Sequence, residues 1–137
     1  CRAVRGRGRL EPVFVEDAKF LRQQTDQPIK WGLPGPMTMI DTLYDRHYKS
    51  REKLAWEFAT ILNQEARELE AAAVDIIQFD EPSFNVFFDD VQDWGLAALE
   101  RAAEGLRAEA GGNFSGRNGK YNQLERLLVN PSENVEI

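Results

Sequence analysis

Apolar residues recur along this chain with two distinct periods. Leu54, Phe58, Ile61, Leu62 and Leu69 fall at steps built from threes and fours. This is the stripe of an amphipathic helix, and it predicts one over residues 50–73. Ser50 at its head is a residue type whose side chain accepts from a free helical N–H. Val91, Trp94, Leu96, Ala98, Leu99 and Leu106 predict a second long helix over 90–108. A shorter one is predicted over 16–24, with Ala18, Phe20 and Leu21 apolar and Glu16 and Asp17 at its positive end. Residues 38–44 fit a short helix. Between these lie compact apolar runs at 12–15, 29–33 and 74–79, each bounded by turn-forming residues, which read as strands. The order strand, helix, strand, helix, strand, helix predicts an α/β fold with parallel strands and helical crossovers. About three parallel strands are expected.

The chain has 137 residues, 42% hydrophobic and 29% charged, which fits a single soluble domain and not a disordered one. Its net charge of −6 disfavours nucleic acid as the main partner. Arg2, Arg5, Arg7 and Arg9 form one basic cluster, expected on an exposed edge strand or loose arm. With only Cys1 and His47 of their kinds, the chain can form no internal disulfide, and a reducing, cytoplasmic setting is expected. No apolar run approaches the ~18 residues that span a bilayer, so no membrane partner is expected. The first residue is not Met, which points to a chain beginning inside a longer gene product. The pattern weakens after Glu109. Residues 110–119 carry four glycines, and 121–129 hold one helical segment with Leu124, Leu127 and Leu128. The expected organisation is therefore a partial barrel domain over 1–109 and a divergent tail over 110–137.

Loops that follow parallel strands gather at one rim, where such folds build their sites. Two loops here have unusual chemistry. In residues 33–38, Gly35 allows close approach of a ligand, and Pro36 suits the first position of a helix whose free N–H groups favour an anion. A plain strand-to-helix turn explains the same residues. In residues 80–84, Asp80 and Glu81 are adjacent carboxylates held by Pro82. On an extended backbone they point opposite ways, so one can face the rim. A rim carboxylate binds an ammonium group or acts as acid or base. A solvated acidic loop is the alternative.

These two loops carry a family resemblance. Leu33-Pro34-Gly35-Pro36-Met37-Thr38, after Lys30, resembles the Gly-Pro-x-Thr segment of cobalamin-independent methionine synthases. Ile77-Gln78-Phe79-Asp80-Glu81-Pro82 resembles their Ile-Gln-x-Asp-Glu-Pro strand end, the more specific of the two strings. The likeness runs over about residues 12–106. It implies a (β/α)8 TIM barrel that transfers a methyl group to the sulfur of homocysteine, bound as a zinc thiolate. It also implies that Asp80 binds the homocysteine amino group, with Glu81, Gly35, Pro36 and Thr38 as the other substrate-binding residues.

Against the family pattern, the His-x-Cys zinc strand expected after the second long helix is replaced by residues 111–115, without His or Cys. No metal ligands are therefore assigned in this chain, nor any catalytic residue, and zinc belongs to the parent family's chemistry. Long members of the family place a Trp four residues after the threonine, where Thr42 stands here. The resemblance implies methyltetrahydrofolate as the methyl donor, and the missing Trp makes a methylated corrinoid, as in shorter relatives, the alternative. Eight strand–helix units need about 250 residues, so another chain completing the barrel is a candidate partner. Two rival expectations are a non-catalytic truncated chain whose tail caps the sheet or binds a partner, and a zinc-free barrel resembling uroporphyrinogen decarboxylase. His47 is expected on the surface, Trp31, Trp56 and Trp94 in the core, and Glu65, Glu68 and Glu70 on a solvated helix face.

Overall fold

A computed structural model describes residues 9–106. Helix α1 (Val15–Gln24) leads into β1 (Lys30–Pro34), followed by α2 (Pro36–Asp41), the long α3 (Arg51–Ala71) and β2 (Ile76–Asp80). A 3-10 turn (Pro82–Asn85), α4 (Phe88–Asp90), a π turn (Val91–Gly95) and α5 (Leu96–Ala103) complete the described chain. β1 and β2 are parallel neighbours in register from Lys30↔Ile76 to Pro34↔Asp80. α2 and α3 form the crossover between them.

Two strands are found among the described residues rather than three. The run at 12–15 does not join the sheet. The amides of Val13 and Phe14 donate to the Glu65 side chain instead of to a strand, and Val15 already opens α1. β-branched character set the expectation, and a buried carboxylate on a distant helix overrides it.

α3 forms as its apolar stripe predicts. The Ser50 side chain accepts from the Lys53 N–H at 3.3 Å, so the helix starts at its expected cap. Its end is closed by Ala73, whose φ of 64° bends the chain, while the Val74 N–H reaches the Leu69 carbonyl. Ala55, Ala59 and Ala66 of α3 and Ala98 and Ala102 of α5 are fully buried, which lets the two helices pack closely. Asn63 is buried between them and donates to the carbonyls of Ala102 and Glu104 at 3.0 and 2.7 Å, satisfying the end of α5. The second long helix forms as one helical stretch from Phe88 to Ala103 with a π turn inside it, and it ends short of the expected 108, before Gly105 with φ 73°.

The sheet is covered on one face only among the described residues. Leu33 and Phe79 are buried toward the helices with Met37, Ile40 and Leu69. The alternate positions Lys30, Gly32 and Asp80 are exposed. Parallel sheets normally bury both faces, so this uncovered face is what a segment of a barrel leaves open to its lumen. At the opposite end of the strands, the Arg22 guanidinium donates to the carbonyls of Thr25, Gln27 and Ala73 and pairs with Asp75. Asp75 in turn accepts from the Ile29 N–H at 2.7 Å. This network ties α1 to the starts of both strands.

Several side chains lie elsewhere than expected. Glu65 is 3% exposed, not solvated: it accepts from the Val13 and Phe14 amides and pairs with Arg9. Arg9 is correspondingly half-buried against Glu65 and Glu68, not part of a loose arm, while Arg2, Arg5 and Arg7 lie outside the described residues. Trp31 is half-buried against Phe14, ring centroids 5.9 Å apart, and Trp94 packs at the core's margin. Trp56, at 37% exposure, is on the surface. His47 is exposed as expected, its ring edge-on to Tyr48. Cys1 and the segment 110–137 also lie outside the described residues.

A candidate substrate-binding rim at the strand ends

Parallel register fixes the first fact about the site. Because Pro34 pairs with Asp80, the two loops leave the sheet side by side at its C-terminal edge. The Gly35 N–H donates to the Asp80 carbonyl at 2.8 Å, extending the ladder one step past the strands. Asp80, Glu81, Gly35, Pro36 and Thr38 are therefore brought together on one rim.

The two adjacent carboxylates do separate, as an extended backbone requires. Asp80 lies on the open face of the sheet and is exposed. Its carboxylate accepts from the Gln78 side-chain amide. It also overhangs Gly32, where a Cβ would lie 3.5 Å from its Oδ2. Glu81 turns the other way, toward α2. Its Oε1 accepts from the Met37 N–H at 2.9 Å, and its Oε2 accepts from the Thr38 N–H and hydroxyl at 2.9 and 2.8 Å. Burial raises the Glu81 pKa above its ordinary value, opposed by the hydrogen bonds from Thr38 and Met37.

That arrangement changes the role expected for the free amides of α2. Met37 and Thr38 do offer N–H groups at the start of this helix, but the acceptor is the protein's own Glu81. Gly35 is needed for space: its φ of −76° suits any residue, yet a Cβ there would overlap Cδ, Cγ and Oε1 of Glu81. Pro36 sits at the first helical position as predicted. Thr42 is exposed, its hydroxyl donating to the Met39 carbonyl at 2.8 Å.

Sequence inspection missed the second support of this rim. Met37 is fully buried, and a Cβ on Gly95 would overlap its sulfur. The glycine of the π turn thus makes room for the α2 side chain. A glycine inside a predicted helix was the available signal.

Among the described residues, no group of three or more His, Cys, Asp or Glu side chains is placed to hold a metal ion. The residues present do not fit a zinc site of the His/Cys type, and no step below runs through one.

A β-α-β unit with polar loops gathered past its strand ends is the building block of α/β proteins, barrels and open sheets alike, that bind ligands at that rim. Residues 4–112 match the family model described as "Cobalamin-independent synthase, Catalytic domain", and the chain belongs to that family. A B12-independent methionine synthase from Shewanella sp. W3-18-1, solved in complex with selenomethionine, superposes with a TM-score of 0.74 at 68% identity, over 88% of this chain and 36% of that one. The 5-methyltetrahydropteroyltriglutamate–homocysteine methyltransferase of Citrobacter koseri is 44% identical over 98 residues, which is 66% of this chain and 13% of that protein. A 2-hydroxypropyl-CoM lyase from Xanthobacter autotrophicus is 35% identical over 95 residues, 69% of this chain and 24% of that protein. The chain thus spans about a third or less of the relatives it matches. These likenesses do not favour the decarboxylase-like or purely structural alternatives.

Proposed function

We propose that this chain supplies part of the homocysteine-binding rim of a methionine synthase, an enzyme that moves a methyl group to the substrate's sulfur. The observation that carries the proposal is the division of labour between two neighbours. Asp80 presents an exposed carboxylate on the open side of the sheet, while Glu81 is consumed inside the rim. A substrate ammonium donates to Asp80 in a charge-assisted hydrogen bond, which fixes the amino-acid end and aims the sulfur at the donor. Gly32 keeps the surface beside Asp80 low, and Gly35 makes room for the Glu81 side chain behind it. Pro36 and Thr38 shape the turn behind it. The methyl donor to test first is methyltetrahydropteroyltriglutamate, as in the name of the Citrobacter relative, with a methylated corrinoid as the alternative. Thiol activation falls to parts of the protein outside the described residues.

The likeness to the 2-hydroxypropyl-CoM lyase favours a second reading, in which the rim serves a coenzyme M thioether. Asp80 argues against it. Coenzyme M carries a sulfonate where homocysteine carries an ammonium, and a carboxylate at the anchoring position repels the former.

The test is homocysteine binding by calorimetry to the full-length protein, with and without Asp80→Ala. The expected result is a loss of affinity of roughly tenfold or more, the scale of a charged hydrogen bond. Unchanged affinity rejects the role given to Asp80. Tighter binding of coenzyme M than of homocysteine supports the second reading.

A further inference from the structure

The Glu81 carboxylate is committed largely to the protein itself, with three of its roughly four acceptor sites in use. Oε1 accepts from Met37, and Oε2 accepts twice from Thr38. Its side chain also fills the space where Gly35 has no Cβ. Yet it is the residue immediately after Asp80, and the Asp80 carbonyl is itself bonded to the Gly35 N–H at 2.8 Å. The end of β2 and the start of α2 are therefore braced twice. One brace is the backbone bond between residues 35 and 80. The other is the Glu81 side chain spanning to residues 37 and 38.

From this geometry we infer that Glu81 is a positioning residue for substrate recognition: it locks the end of β2 against α2 so that the Asp80 carboxylate points at the substrate's amino group. The inference rests on the role proposed for Asp80. Three observations support it. The Glu81 carboxylate crosses from one loop to the other, so the two loops cannot shift independently. Among the described residues Asp80 has one side-chain partner, the Gln78 amide, which lies on the same strand and cannot fix the strand end in space. Met37, which receives one of the Glu81 bonds, is anchored by its buried side chain against Gly95, so the brace ends in the core rather than in a mobile loop. Replacement by Gln keeps the size of Glu81 but sets an amide N–H₂ against a backbone N–H that needs an acceptor.

The test compares two ligands on the full-length protein: homocysteine and 4-mercaptobutyrate, which is homocysteine without its amino group. Calorimetry gives affinity and the fraction of competent sites separately. Asp80→Asn is expected to weaken homocysteine and leave 4-mercaptobutyrate unchanged. Glu81→Gln is expected to do the same, by roughly tenfold, the scale of misplacing a recognition group by a fraction of an ångström to an ångström. The double variant is expected to be no weaker than Asp80→Asn alone, because both act on one contact. A simple loss of folding instead lowers the fraction of competent sites and leaves affinity intact. Glu81→Asp, which keeps the charge but shortens the reach, then serves as the variant, with a smaller selective loss expected. If Asp80→Asn is selective but substitution at 81 weakens both ligands equally or neither, Glu81 does not position Asp80. If Asp80→Asn itself has no effect, the role of Asp80 is what fails.

Discussion

The absent Cβ of Gly35 and the carboxylate of Glu81 compete for the same space. Any side chain at 35 would overlap Cδ, Cγ and Oε1 of Glu81, although the Gly35 backbone has an ordinary φ of −76°. The glycine is there for volume, not for backbone freedom.

Stability should follow from that competition in a double-mutant cycle. Gly35→Ala is expected to cost about 1–3 kcal/mol, the usual penalty of overpacking. In a Glu81→Ala background those three nearest atoms are gone, and the same substitution should cost clearly less. Thermal or denaturant unfolding of the four proteins measures the coupling. Equal costs in both backgrounds would mean that the two residues do not share this space.

A second consequence concerns pH. Burial raises the folded-state pKa of Glu81 above its ordinary 4.5. Between that value and the raised one, the folded protein holds more protons than the unfolded chain. Stability contributed by Glu81 is therefore fully present below pH 4.5 and is lost as pH rises through the folded pKa. Measured against Glu81→Gln, wild-type stability should decline across this window and run parallel above it. The opposite trend would mean that the bonds from Met37 and Thr38 outweigh burial.

Glu65 offers a test remote from the rim. Its carboxylate is buried, binds the amides of Val13 and Phe14, and pairs with Arg9. Glu65→Ala leaves those amides without their acceptor and the Arg9 guanidinium with Glu68 alone. The expected loss is about 3 kcal/mol, at the lower end for a broken buried pair. Unfolding measurements check it, and a loss under about 0.5 kcal/mol, the level of an ordinary surface change, would contradict the buried role.

Much of this architecture was legible in the residues. The spacing of Leu54, Phe58, Leu62 and Leu69 defined α3, Ser50 marked its start, and the strand-end strings placed Asp80 beside Gly35. Local periodicity and cap chemistry carry that information. What could not be read depends on partners far apart in sequence. Glu65 looks solvated on its helix because its donors lie more than 50 positions earlier. Nothing near Glu81 in sequence reveals that its carboxylate accepts from Met37 and Thr38. Residues 12–15 look like a strand because their β-branched character is local, while the acceptor that claims their amides is not. Asp45 is an intermediate case. Partial burial pushes its pKa up, but amide donors from Tyr48, His47, Ser50 and Lys49 win and hold it below the ordinary value.

The most direct measurement is a crystal structure of the full-length protein with homocysteine bound. The ammonium nitrogen is expected at about 2.7–2.9 Å from an Asp80 carboxylate oxygen, the range of a charge-assisted bond, with Glu81 still joined to Met37 and Thr38. A substrate bound at the rim with its amino group held elsewhere, and Asp80 facing only water, would contradict the assignment.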